Sequence, residues 1–440
     1  MSLSPSSSHH SSFASKPRQE FDLPQEIIDR ILDCLTQNAQ SDREARQGLF
    51  SCLTVSRAFT RRARENLLLD ITISDQRWNG EIVLELFKKE PHLVSRLRSF
   101  QIQVDELPHY SDLFHNVCHN GVSVTHLAIS YGQSQSRGIF SLLLMQRLNR
   151  CLSISTPAIY ASLTSLKLTR TFYIPIHSFI VPFSRLERLE LVRCAFTDSE
   201  PAPSVGQVPK DAPSFYQTLE SLCIVNEMNL IFRHIYNHWP SESLKYSKLK
   251  SLQWSFASQA DISKLGHQLV SAPLLENIEL THCSSDSDGQ NLDVADSVNI
   301  ARVPALKTLT LNMITTAHHH NLANMADIKI LVSPHLTTTS LQILNINIAT
   351  YYQHSDLSDF FHGGRSGWKD LDESLADPDL YPNLELVVVE VRLMKIGGGW
   401  NSSDHVGMDQ FSADRHFTKV FERAREGGRN VTVRMAAKQC

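Results

Sequence analysis

The sequence predicts an α/β protein in which a short three-helix domain is followed by an irregular repeat solenoid, a curved parallel sheet with helices and loops on its outer side. Two patterns predict this. Apolar residues recur at helical spacing from Leu23 to Leu35 and again from Leu49 to Phe59. From Leu69 onward that period gives way to a short phrase, L-x-x-L-x-L, which returns along most of the remaining chain.

Residues 1–20 are rich in Ser and His with almost no apolar side chains, so they are expected to form a disordered tail. The helical domain spans 21–68 and opens with FDLPQEIIDRILDCL. Pro24 suits a first helical turn, where its missing N–H costs nothing, and Asp22 is placed to cap that turn. Leu23, Ile27, Ile31 and Leu35 recur every four residues, with Ile28 and Leu32 beside them, giving one broad apolar stripe. The polar run from Thr36 to Gly48 reads as a loop leading into a second helix. Beyond it, Leu49, Cys52, Leu53, Val55 and Phe59 are expected on a buried side, with Arg57, Arg61, Arg62 and Arg64 in water. Three helices in about 48 residues enclose only a small core, so such a unit leans on something larger.

Residues 69–440 are expected to form the solenoid and its C-terminal cap. LDITI, from Leu69, reads as a first strand. The phrase then appears as LTSLKL from Leu163, LERLEL from Leu186 and LKTLTL from Leu306. Looser copies start at Leu97, Val124, Leu219, Leu249, Leu275, Leu341 and Leu384. Successive copies begin 23 to 43 residues apart. Each supplies one short strand that cannot bury its apolar face alone, and stacking on the next copy completes the core. Helix signals fall between copies, as in ADISKLGHQLV after Gln259 and MADIKILV after Asn324. FTKVFERAREGG and then VTVRM read as a closing helix and strand.

Bulk properties narrow the function. A composition of 42% hydrophobic and 20% charged residues is globular, and a net charge of -4 lacks the basic excess of a nucleic-acid-binding surface. The eight cysteines are scattered without a CxxC pair, which favours a reducing compartment, cytoplasmic or nuclear. No apolar run reaches the roughly 20 residues of a membrane span, and the first residues lack a signal-peptide core. His318, His319 and His320 are adjacent, and neighbouring side chains diverge, so one metal is a poor fit. Gly363-Gly364 and Gly397 to Gly399 lack the Lys and Ser/Thr of a phosphate loop. No catalytic motif positions a nucleophile or base. The expectation is a protein without enzymatic activity, cofactor or metal.

The segment from Leu23 to Leu68 resembles the F-box. LPQEIIDRIL matches the opening of that motif and LFSCLTVSRAF its close, with Phe59 where a Trp is usual. The whole chain is similar to F-box/leucine-rich-repeat proteins of the fungal type. LERLELVRC and LENIELTHC end in Cys194 and Cys283, where such repeats carry Asn or Cys. The resemblance implies a non-catalytic substrate receptor of a Skp-cullin-F-box ubiquitin ligase. Its box would meet the Skp-type adaptor through Leu23, Pro24, Ile27, Ile28, Ile31, Leu32, Leu49, Val55 and Phe59. The repeats would hold an unknown target protein.

Alternation along a strand turns the phrase's last two leucines inward, so the residue between them faces the concave surface. Those residues are Lys167, Glu190, Cys223, Gln253, Glu279, Thr310, Asn345 and Val388, a row suited to a protein partner and ill suited to lipid. One alternative is a repeat scaffold with no ligase link. In it the helices only cap the solenoid's first apolar face, burying Pro24, Ile27, Ile28 and Ile31 near Ile71 and Ile73. A hydrolase in an unrecognised fold would instead need a deep pocket.

Overall fold

The structure, a computed structural model, describes residues 23–39, 43–74, 80–104, 111–131, 159–171, 174, 180, 182–194, 215–225, 246–256, 259–283, 298–316, 340–352, 368–395 and 421–438. The tail 1–20, the cap at Asp22, the helix signal after Asn324, His318 to His320 and the glycines at 363–364 and 397–399 lie outside them. The chain divides into two compact units, Met1–Leu69 and Asp70–Cys440.

In the first unit three helices follow one another, α1 (Gln25–Ala39), α2 (Arg43–Cys52) and α3 (Arg57–Leu67). Pro24 sits just ahead of α1, and its carbonyl accepts from the N–H of Ile27 and Ile28. Ile28, Leu32, Leu49, Ala63 and Leu67 form the core, with Leu35, Cys52, Leu53, Ala58 and Phe59 packed against it. The polar run after Leu35 is not the expected loop, since α1 continues to Ala39 and α2 starts at Arg43. Gln37 and Ala39 in the first helix and Arg43, Glu44, Ala45 and Gln47 in the second are good helix formers, and the Thr36 hydroxyl finds a partner within the helix by donating to the Leu32 carbonyl at 2.7 Å. Ala45 is buried one turn before Leu49, so the second helix begins earlier than its first large apolar residue. Val55 also departs from expectation. It falls in the turn between α2 and α3 and points to solvent.

The second unit is a parallel sheet of twelve described strands in chain order, β1 to β12, each beside its predecessor. They are β1 (Asp70–Ser74), β2 (Ser99–Val104), β3 (His126–Tyr131), β4 (Ser165–Thr169), β5 (Arg188–Val192) and β6 (Ser221–Val225). There follow β7 (Ser251–Phe256), β8 (Asn277–His282), β9 (Thr308–Thr316), β10 (Ile343–Tyr352), β11 (Leu386–Lys395) and β12 (Asn430–Lys438). Such an order is solenoid-like, because each connection leaves one strand and returns beside it. In every copy from Leu97 to Leu384 the first apolar residue of the phrase lies two residues ahead of its strand.

Register is uniform. Leu166, Leu189, Leu222, Leu252, Ile278, Leu309, Leu344 and Val387 stand side by side, all buried. The backbone repeats with the same regularity. Two consecutive N–H groups, at Thr164 and Ser165, donate to the Thr125 carbonyl, and those of Glu187 and Arg188 donate to the Thr164 carbonyl. The same pairing recurs from one turn to the next as far as Gln342, whose carbonyl accepts from Glu385 and Leu386. Stacking therefore satisfies the donors ahead of each strand as well as those inside it.

At the strand ends the chain must turn inward. Arg170 and Arg193 do so with φ of 55° and 56°, a left-handed conformation unusual for a side chain as long as arginine. Their N–H groups donate to the Val192 and Val225 carbonyls at 2.8 and 2.7 Å, which holds the turn. The next residue after Arg193 is Cys194, fully buried, whose thiol donates to the Leu168 carbonyl at 3.2 Å. Burial pushes its thiol up to about 12. Cys194 is thus an inert hydrogen-bonding spacer rather than a reactive group.

The connections carry helices on the buried side of the sheet, among them Gly80–Lys89, Ser111–Asn120 and the expected Gln259–Val270. Ahead of β11 lies the helix Trp368–Ala376, with Trp368, Leu371 and Leu375 buried along one face. Near the C-terminus the Asp372 carboxylate accepts from the N–H of Arg423 and Ala424 at 3.2 and 2.9 Å, capping the short helix Glu422–Glu426. Arg429 donates to the carbonyls of Tyr381 and Leu384, both at 2.6 Å. These contacts fasten the last helix and β12 to the preceding turn of the array.

Candidate functional site

Two surfaces stand out, one on each unit. On the helical unit the stripe of α1 splits in two. Ile28 and Leu32 turn into the core, while Leu23, Ile27 and Ile31, one turn apart on the adjacent face, remain 50%, 42% and 43% exposed. Leu49 is buried in the same core and Phe59 packs partly against it. Pro24 and Val55 are exposed, Val55 by 62%. The nine residues named from the sequence thus separate into four that hold the unit together and five on its surface. Phe50, exposed on α2, is a further apolar surface residue that the motif did not single out.

This surface density is unusual. Among the described residues, five large apolar side chains are exposed in the unit that ends at Leu69, against four (Ile82, Val122, Val270 and Leu274) in the far longer second unit. Clustered apolar exposure of this kind marks interaction surfaces more than stability. A polar clamp sets the angle of α1. Arg62 donates from Nε and Nη2 to the two carboxylate oxygens of Asp33 at 3.0 and 2.9 Å, and the Asn66 amide adds a bond at 3.1 Å. The Asp33 hydrogen bond raises the Arg62 guanidinium above its ordinary value, so this arginine is a strut between α3 and α1 rather than a purely solvated residue. Arg57 and Arg61 do face water.

The second surface is the open face of the sheet. Lys167, Glu190, Cys223, Gln253, Glu279, Thr310, Asn345 and Val388 occupy one row of the register, each opposite the next. Side chains link much of that row. Lys167 donates to Glu190, and the Cys223 thiol donates to the Gln253 Oε1 at 3.0 Å. Gln253 Nε2 donates to Glu279 Oε1 at 3.0 Å, and Asn345 Nδ2 to Thr310 Oγ1 at 3.2 Å. The next row takes part, as Asn312 donates to Glu279 at 2.7 Å and Asn347 to Asn312 at 2.8 Å. Sequence reading found the first row and missed the second, although the same alternation continues to it. Desolvation pushes the Cys223 thiol up to about 12, and the carboxylates of Glu190 and Glu279 push it the same way. That makes it a poor nucleophile at neutral pH.

The open face presents amides and hydroxyls, with Lys167 paired to Glu190 and the Glu279 carboxylate held by two neutral amides, groups suited to hydrogen bonding. Among the described residues no group of three or more His, Cys, Asp and Glu could hold a metal ion, and no helix is long and apolar enough to cross a membrane. No protein-family model matches the chain, and no curated protein matches it significantly.

Proposed function

We propose that this chain is a non-catalytic substrate receptor of a Skp-cullin-F-box ubiquitin ligase, α1 to α3 being an F-box and the sheet unit an irregular leucine-rich-repeat array. The exposed stripe of Leu23, Ile27 and Ile31 carries the reading. It lies on the segment whose LPQEIIDRIL and LFSCLTVSRAF resemble the two halves of that motif. Each of these side chains is about half exposed, so covering it against a partner contributes roughly half of the 1.5–3 kcal/mol of full burial, and three together make a docking centre. The linked polar row on the open sheet face supports the other half of the reading, a surface for a target protein.

In this account the Skp-type adaptor takes the helical unit and brings the cullin with it, while the sheet holds the target. Rate is gained by proximity, since holding the target's lysines near the ubiquitin-loaded enzyme replaces a bimolecular encounter with a local one. The compartment would be the cytosol or the nucleus.

Co-purification with a Skp-type adaptor tests the proposal. The parent chain should retain the adaptor and Ile27→Asp should lose it, with both proteins melting at the same temperature. A well-folded parent that retains no adaptor would leave the repeat scaffold as the better account.

A further inference from the structure

The open face is not electrically uniform. Lys167 is paired with Glu190 at one side, and at the other Arg392 donates to Glu390, whose carboxyl it holds below the ordinary range. Between them, across β6 to β10, the three facing rows carry one formal charge, Glu279. Its Oε1 accepts from Gln253 and Asn312, both neutral amides. Those bonds orient the carboxylate without neutralising it.

Among the described residues, the cations of the strand faces stand well away from it. Arg392 is three strands away and Lys167 four, roughly 14 and 19 Å at the usual strand spacing. Both exceed the screening length of about 8 Å at physiological salt. Lys250 and Lys307, each one residue ahead of a flanking strand, lie three positions earlier than Gln253 and Thr310 and are engaged by Glu220 and Glu276 at 3.4 and 3.1 Å. The thiol of Cys223, two strands from Glu279, is pushed up in part by that carboxylate. Among the described residues, the charge at the centre of the face is therefore negative.

We propose that Glu279 is the anchor of this face and that its partner is a protein segment presenting a lysine or arginine among uncharged polar residues. The cation completes the oriented carboxylate with a charge-assisted bond. Around it, Gln253, Thr310, Asn312 and Asn345 offer amides and hydroxyls to the partner's backbone and polar side chains. An acidic segment would meet an uncompensated like charge and be rejected. The inference rests on the open face being a partner-binding surface and is independent of the adaptor link.

The test uses the purified full chain and pools of short synthetic peptides, random except for a central position fixed as Arg, Lys, Gln, Glu or Leu. Retention of the Arg and Lys pools should exceed that of the Gln pool by about tenfold. Glu279→Gln keeps the shape and an oxygen for Gln253 and Asn312, and it should erase the preference. Glu190→Gln should leave it in place, since that carboxylate already has Lys167. Thr310→Lys, which sets a cation beside an intact Glu279, should erase it too and guards against a folding defect in the first variant. Equal retention of all pools by the parent, or a preference that survives both Glu279→Gln and Thr310→Lys, would overturn the proposal. Adaptor capture measured on the same proteins separates the two claims, because Glu279→Gln should bind the adaptor like the parent.

Discussion

The two units use apolar residues in opposite ways. The sheet unit hides its leucines two by two along each strand and shows polar side chains on the open face. The helical unit has more apolar residues than its core can hold and leaves Leu23, Ile27, Ile31, Phe50 and Val55 outside. A repeat array gains core with every strand added, whereas three short helices cannot enlarge theirs. The surplus on α1 is the surface that the proposed adaptor would cover.

The sharpest break in that comparison comes from the two faces of α1. Leu32→Ala, in a core with few other members, should cost about 2–5 kcal/mol and melt the helical unit while the sheet keeps its transition. Differential scanning calorimetry with limited proteolysis would resolve the two. Ile31→Asp, one residue away but on the outer face, should change stability by less than about 0.5 kcal/mol. If the two substitutions cost the same, the inner and outer faces have been misassigned.

In the sheet unit the expected effects are smaller and tied to polar contacts. Asp372→Ala removes the cap of Glu422–Glu426 and should cost about 1 kcal/mol, read as a lower denaturant midpoint with unchanged slope. Thiol labelling at neutral pH should modify exposed Cys34 quickly and spare Cys194 and Cys283, whose thiols burial pushes up to about 12, until the sheet unfolds. Mass spectrometry of labelled peptides reads this directly. Lys167→Met breaks a surface ion pair and should cost no more than about 1 kcal/mol.

Much of this was legible in the sequence because repetition multiplies a weak local signal. One L-x-x-L-x-L phrase could be a strand or a piece of helix, but ten of them in one chain place the strands and the row of Lys167 to Val388. The helix boundaries were harder. Thr36 to Gly48 looks like a loop because it is polar, yet it holds helix formers such as Gln37, Ala39, Glu44, Ala45 and Gln47, and the residues that mark its inner side, buried Ala45 and Gly48 beside Leu35, are small. Val55 fits a helical period that the turn at 53–56 interrupts. The strut from Arg62 to Asp33 joins residues 29 apart, and spacing alone does not single out such a pair. On the sheet, the isolation of Glu279 is a property of five strands together, visible only once their register is known.

The proposed function requires two independent partner surfaces, an apolar one for the adaptor and a polar one for the target. Its most direct test is the affinity of a Skp-type adaptor for the full chain, measured side by side for the parent, Ile27→Asp and Glu279→Gln. The account predicts nearly complete loss for Ile27→Asp and no change for Glu279→Gln. Equal binding by all three, or none by a well-folded parent, would contradict it.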